Sequence, residues 1–179
     1  MLRFCSAAIL LALALVRPGL AGAPKRPNTI RYMSPGAFPE LSSGIVRELE
    51  SRKCMVPQYP KTWKATDRIN VIRGEFAKAG QKDWAVVCSV PGEMSLLVFW
   101  NASDKGFAEV PLELSDGYVL SGSVPKETLM EKYKDKIPAG VIVDHDAIGI
   151  SNADNRTIIH YFNAGKWIQV GGVPHDSGK

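Results

Sequence analysis

The densest polar cluster in the chain is Asp144-His145-Asp146. Two carboxylates beside an imidazole can hold a metal ion or raise the basicity of the histidine, the working parts of a small hydrolase or metal-dependent enzyme. Adjacent side chains on an extended segment point to opposite faces, so the three converge only if a turn brings Asn152 or Asp154 back toward them. A solvated, self-capping loop is therefore the default expectation. His160 shares a strand face with Ile158 and Phe162 and reads as a sheet histidine, while His175 belongs to a polar tail. Ser123-Val124-Pro125-Lys126 matches S-x-x-K, the nucleophile motif of penicillin-recognising enzymes, and it precedes a helical stretch. Its companion K-T-G is absent, and Ser123 or Val124 serves as well as the cap of a helix whose first turn holds Pro125. G-x-S-x-G, H-E-x-x-H, a Walker loop and a dinucleotide fingerprint do not occur. On this reading no residue is assigned to catalysis, to a metal or to a cofactor.

Cysteines and aromatic residues are the other candidates. Residues 1–21 read as an export signal: Met1-Leu2-Arg3 is a positive start, and Phe4 to Val16 is a 13-residue run with Ser6 as its only polar side chain. A bilayer span needs about 20 apolar residues, so this run suits a signal core. Arg17-Pro18-Gly19 breaks it, and Gly19 and Ala21 are the small residues of a cut after Ala21. Export discards Cys5 and leaves Cys54 and Cys88, which in an oxidising compartment are expected to form a structural disulfide. Closing the 35-residue loop between them is worth about 3–4 kcal/mol by chain entropy. A periplasmic or secreted location follows, with no transmembrane segment after residue 24. The formal charge of +4 drops to +2 once Arg3 and Arg17 leave, too mild for a nucleic-acid binder. Trp84, Trp100, Trp167, Tyr118 and Tyr161 sit in strand patterns and read as core. Tyr59 and Trp63 instead occupy a Pro-rich loop, where an aromatic can contact a partner.

The elements that position these residues alternate helix and strand signals. Residues 22–37 are rich in Pro, Gly and basic side chains and read as a flexible lead-in. Pro39 opens a helical stretch with Leu41, Ile45 and Leu49 on one stripe, ended by Pro57 and Pro60. Strands are expected at Ile69–Phe76, Asp83–Val90 and Ser95–Trp100 as a central meander, with shorter ones around Ala108–Leu114 and Tyr118–Gly122. Pro125 starts a second helix carrying Leu129, Tyr133 and Ile137, and Pro138 ends it. Thr157–Phe162 and Trp167–Val170 flank Asn163-Ala164-Gly165 as a closing hairpin. The expectation is one α+β domain over 38–172, with two helices and an antiparallel sheet of six or seven strands, followed by a polar tail at 173–179.

Two resemblances attach to these motifs. Gly74-Glu75-Phe76-Ala77-Lys78-Ala79-Gly80-Gln81-Lys82-Asp83-Trp84-Ala85-Val86 resembles one FG-GAP-type repeat, whose loop binds calcium between two strands of a propeller blade. Glu75, Gly80 and Asp83 fit that pattern, but Ala77, Lys78 and Ala79 stand where oxygen ligands are expected, so the likeness implies a hairpin that has lost the ion. More broadly, the chain is similar to a group of small exported bacterial proteins of unassigned function. The shared features are the Cys54–Gln58 segment, Gly80–Ser89, Leu97-Val98-Phe99-Trp100, Asp144-His145-Asp146 and Gly165-Lys166-Trp167. This likeness implies a bacterial envelope protein with a Cys54–Cys88 bridge and brings no catalytic residue with it. The functional expectation is a non-enzymatic binding module, an inhibitor or immunity-type protein whose partner is another protein or envelope component. The alternative is a small extracytoplasmic hydrolase or metal enzyme centred on His145 with Asp144 and Asp146.

Overall fold

A computed structural model of the chain describes residues 30–59, 68–112, 120–151 and 157–171. Residues 1–21, read above as an export signal, Trp63 and residues 173–179 lie outside them. The strand β4 (Asp83–Val90) is apolar on both faces, so it needs a cover on each side. It pairs antiparallel with β3 (Val71–Gly74) and β5 (Glu93–Phe99), and β5 pairs in turn with β6 (Phe107–Pro111). Gly92, at φ +83°, makes the tight turn from β4 to β5. A second four-stranded antiparallel sheet has the order β10-β9-β8-β7, built from β7 (Leu120–Val124), β8 (Ala147–Ser151), β9 (Thr157–Asn163) and β10 (Lys166–Gln169).

The expected single sheet of six or seven strands is thus corrected to three sheets, of two, four and four strands. Apolar strands on both faces stack as readily as they pair, and here stacking supplies the cover. Ala85, Val87, Leu96 and Val98 of the first sheet meet Ile148 and Ile150 of the second in one buried cluster. The outer face of the first sheet, with Val86, Cys88, Leu97 and Phe99, packs under α1 (Ser43–Ser51) through Ile45 and Leu49. The outer face of the second sheet packs Ile159 and Tyr161 against Leu129 of α2 (Lys126–Lys132). The result is four layers, helix–sheet–sheet–helix, consistent with the α+β class. Each fully buried Leu or Ile contributes about 1.5–3 kcal/mol.

Local differences have local causes. Ser42, not Pro39, caps α1, accepting the Ile45 N–H at 3.3 Å, and Lys53 at φ 60° takes the left-handed position after the helix end. Pro57 lies inside a strand, β2 (Val56–Gln58), which pairs with β1 (Arg31–Met33). That strand falls within the stretch read as a flexible lead-in. Met55 and Ser89 then bridge β2's end to β4. Beside that bridge, Cys54 and Cys88 form a disulfide with Cα atoms 5.1 Å apart, buried in the α1 cluster. Among the described residues, no helix is long and apolar enough to cross a membrane.

Candidate functional site

The Asp144-His145-Asp146 segment and the Glu75–Asp83 loop lie at one end of the sandwich, where β3, β5 and β9 finish and β4, β8 and β10 begin. Asp83 opens β4 and is fully buried. One of its carboxylate oxygens accepts the N–H groups of Phe76 and Ala77, at 2.9 and 3.0 Å. The other accepts Gln81 Nε2 and the Asn101 N–H, at 2.7 and 2.9 Å. A buried carboxylate persists where donors surround it, and here both oxygens meet N–H groups. Glu75 accepts the Gly80 N–H at 2.8 Å, completing the tight loop that resembles a calcium repeat. The Asn101 bond also holds a turn in which Asn101 and Ala102 adopt φ 53° and 52°, left-handed values that cost non-glycine residues about 1 kcal/mol or more each.

Asp144, His145 and Asp146 do not converge. His145 is 5% exposed and its Nε2 donates to the Phe162 carbonyl at 2.9 Å. Its Nδ1 lies 2.5 Å from Asp144 Oδ1 and 3.0 Å from the Tyr161 hydroxyl, whose ring stacks on the imidazole with centroids 4.3 Å apart. A carbonyl only accepts, so Nε2 is the donor toward Phe162, while Nδ1 is held between Asp144 and Tyr161. The hydrogen bond from His145 holds the Asp144 carboxyl below its ordinary range. Tyr161 also donates to the Ile142 carbonyl at 3.0 Å, and burial raises its hydroxyl pKa. Asp146 turns the other way: it accepts the Glu75 N–H at 3.3 Å, and its own N–H donates to the Glu75 carbonyl at 3.0 Å, tying the second sheet to the first. Among the described residues no group of three His, Cys, Asp or Glu side chains could hold a metal.

The remaining candidates are dispersed. Ser123 is exposed in β7 opposite Ile148, and Pro125 occupies the cap of α2 without a side-chain bond, so the expected Ser123 or Val124 cap is not formed. Tyr59 is only 3% exposed, leaving its ring little surface to offer a partner. His160 is buried in β9 between Ile148 and Gln169 on the flanking strands, and burial lowers its pKa from 6.5.

Sequence reasoning missed two arrangements. Asn70, fully buried at φ 64°, accepts the Ser121 N–H at 2.8 Å and so joins the two sheets along their β3 and β7 edges. Trp100, Phe162 and Trp167 form a half-buried trio with centroids 4.9–6.0 Å apart, packed over the end of the inter-sheet cluster. Their sequence positions signalled burial, but it is the β9–β10 register that pairs Phe162 with Trp167 and the turn after β5 that sets Trp100 against both.

At the opposite end of the sandwich the strands leave an apolar groove of about 420 Å³ around the Pro91-Gly92 turn, where Tyr32 and Met55 are 47% and 37% exposed. No family model matches the chain, and neither a curated protein nor a solved structure does.

Proposed function

We propose that the chain is an exported, non-enzymatic binding module of the bacterial envelope, an inhibitor or immunity-type protein that faces an extracytoplasmic hydrolase or another envelope component. One observation carries this reading: His145, the histidine set between carboxylates, has both ring nitrogens bonded inside the fold. A general base needs a nitrogen free to meet substrate. The buried carboxylate of Asp83 is likewise surrounded by backbone and amide donors. What the surface offers instead includes Tyr32, Met55, Met130 and Ile142, the exposed large hydrophobic side chains among the described residues. The Cys54–Cys88 disulfide suits an oxidising compartment. The likeness to small exported bacterial proteins points the same way. The alternative, a hydrolase centred on His145, needs Asp146 to leave Glu75 and His145 to release the Phe162 carbonyl.

Affinity capture from envelope extract, with the chain from residue 22 as bait, tests this reading when the captured partner is purified and re-examined. A hydrolase partner should lose activity in proportion to added chain, reaching its limit at one chain per enzyme. The reading is overturned if the chain itself turns over a substrate and His145→Ala abolishes that turnover at unchanged melting temperature. Stoichiometric zinc or calcium in the purified protein would also count against it.

A further inference from the structure

We propose that Trp167, His160 and Gln169 form an internal site that holds one ordered water between the two sheets, under the β9–β10 hairpin. This goes beyond the binding reading above and stands whether or not that reading holds.

Strand register brings the three side chains together. Phe162 pairs with Trp167, and His160 with Gln169, so all four project from one face of the hairpin. That face is turned to the first sheet: Trp167 packs on the inter-sheet cluster, and Ile148, the partner of His160 on β8, lies within it. The alternate residues Ile159, Tyr161 and Ile168 turn the other way, toward α2. His160 and Trp167 are thus diagonal neighbours across the hairpin, a spacing of about 7–8 Å that lies within reach of aromatic side chains. One water, making two hydrogen bonds of about 2.9 Å each, spans what remains between their polar atoms.

Two of these groups are buried without a partner. Trp167 is half-buried, yet its Nε1 is wholly buried and meets no acceptor among the described residues. The part of the indole that reaches solvent is therefore another edge, and the N–H is turned into the fold. His160 is 6% exposed, and its ring nitrogens make no hydrogen bond among the described residues. Burial lowers its pKa, so at neutral pH the ring is uncharged, with one nitrogen a donor and the other an acceptor. Gln169 is exposed beside it and carries an amide that both gives and takes. A stranded indole N–H in an apolar layer is costly, and a phenylalanine ring would carry no such cost. Water answers all three groups: its oxygen accepts the Trp167 N–H, and imidazole and amide each offer a donor or an acceptor. Two to four polar partners are what a buried water requires. An anion fits worse, because no side chain on this face of β9 or β10 is charged at neutral pH.

A crystal structure of the chain from residue 22, at a resolution that shows ordered water, tests the site directly. One oxygen should lie about 2.7–3.2 Å from both Trp167 Nε1 and a ring nitrogen of His160. In solution, the Trp167 indole N–H should give an NMR cross-peak to water with the sign that marks a long-lived bound molecule. His160→Leu should abolish that cross-peak, whereas His160→Gln, which keeps a bonding group, should retain it. Trp167→Phe and His160→Leu each take a partner from the same water. Their folding equilibrium constants should therefore be coupled, the double variant exceeding the product of the singles about fivefold. Should His160→Leu fail to fold, the wild-type crystal and cross-peak decide the matter. No oxygen at that place overturns the proposal, as does a direct bond from Trp167 Nε1 to His160 or Gln169, or an anion there. A cross-peak that persists unchanged in His160→Leu, or singles that simply add, would overturn it too.

Discussion

The two ends of the sandwich are held by different physics. At one, side-chain hydrogen bonds tie loops to strands: Asp83 gathers two turns, Asp146 and Glu75 join the sheets, and Trp100, Phe162 and Trp167 close the core. At the other, a disulfide and a single β-bridge clip α1 and β2 to β4, and the apolar face runs out into an open groove. The contrast teaches that a rich polar cluster is not by itself a reactive one. The end with the carboxylates and the histidine is the closed end, and the end with the least polar chemistry is the open one.

Removing the centre of the closed end should have the largest effect. Asp83→Ala leaves the N–H groups of Phe76, Ala77 and Asn101 and the Gln81 amide without their acceptor. A loss of about 4–5 kcal/mol is expected, by urea unfolding, since stranded buried donors cost about 1–3 kcal/mol each and part of the loop relaxes. Amide exchange should quicken at Ala77 and Asn101 before it does at Met55 or Ser89. A loss below about 1 kcal/mol would mean that water replaces the carboxylate and that the two ends are not so different.

Cutting the clip at the open end should follow closely. Cys54→Ser with Cys88→Ser is expected to lower stability by about 3–4 kcal/mol through the freed 35-residue loop. Exchange should rise first at Met55 and Ser89, the bridge beside the bond, while the Asp83 loop keeps its protection. If the double variant loosened Ala77 and Asn101 as strongly, the ends would be one cooperative unit and the comparison would fail.

How much of this could be read from the sequence depends on how local the cause is. The strand at Asp83–Val90 and the closing hairpin follow from unbroken apolar runs and their turns, and the cysteine pair follows from counting. The strand β8, Ala-Ile-Gly-Ile-Ser, is short and carries a glycine, so no periodicity betrays it. The strands β1 and β2 have three residues each and one of them holds a proline, which reads as punctuation. Apolarity on both faces of β4 announces two covers without saying whether a strand beside it or a sheet above it supplies them. Whether Asp144, His145 and Asp146 converge stayed open in the sequence: alternation separates neighbours, yet the segment is a loop that pairs Asp144 with His145 and turns Asp146 toward Glu75. The bond from His145 to Tyr161 was not legible either, because it depends on where β9 lies relative to a loop 16 residues earlier.

The smallest effect is a pH dependence from the layer between the ends, where His160 sits opposite Ile148 and Gln169. Burial pushes its pKa below the ordinary 6.5, so just below that pH the unfolded chain binds a proton that the folded chain resists. The unfolded state then holds more protons, and stability falls as pH falls through this window while staying level above it. Asp144 adds a second step lower down: its folded pKa lies below 3.8, so its contribution is present above that value and is lost as pH drops further. Melting temperatures across this range should show the first decline in wild type and lose it in His160→Gln, whereas Asp144→Asn should flatten only the acid step. A first decline that survives His160→Gln and vanishes in Asp144→Asn would place the acid sensitivity at the closed end, and the middle layer would then contribute nothing to it.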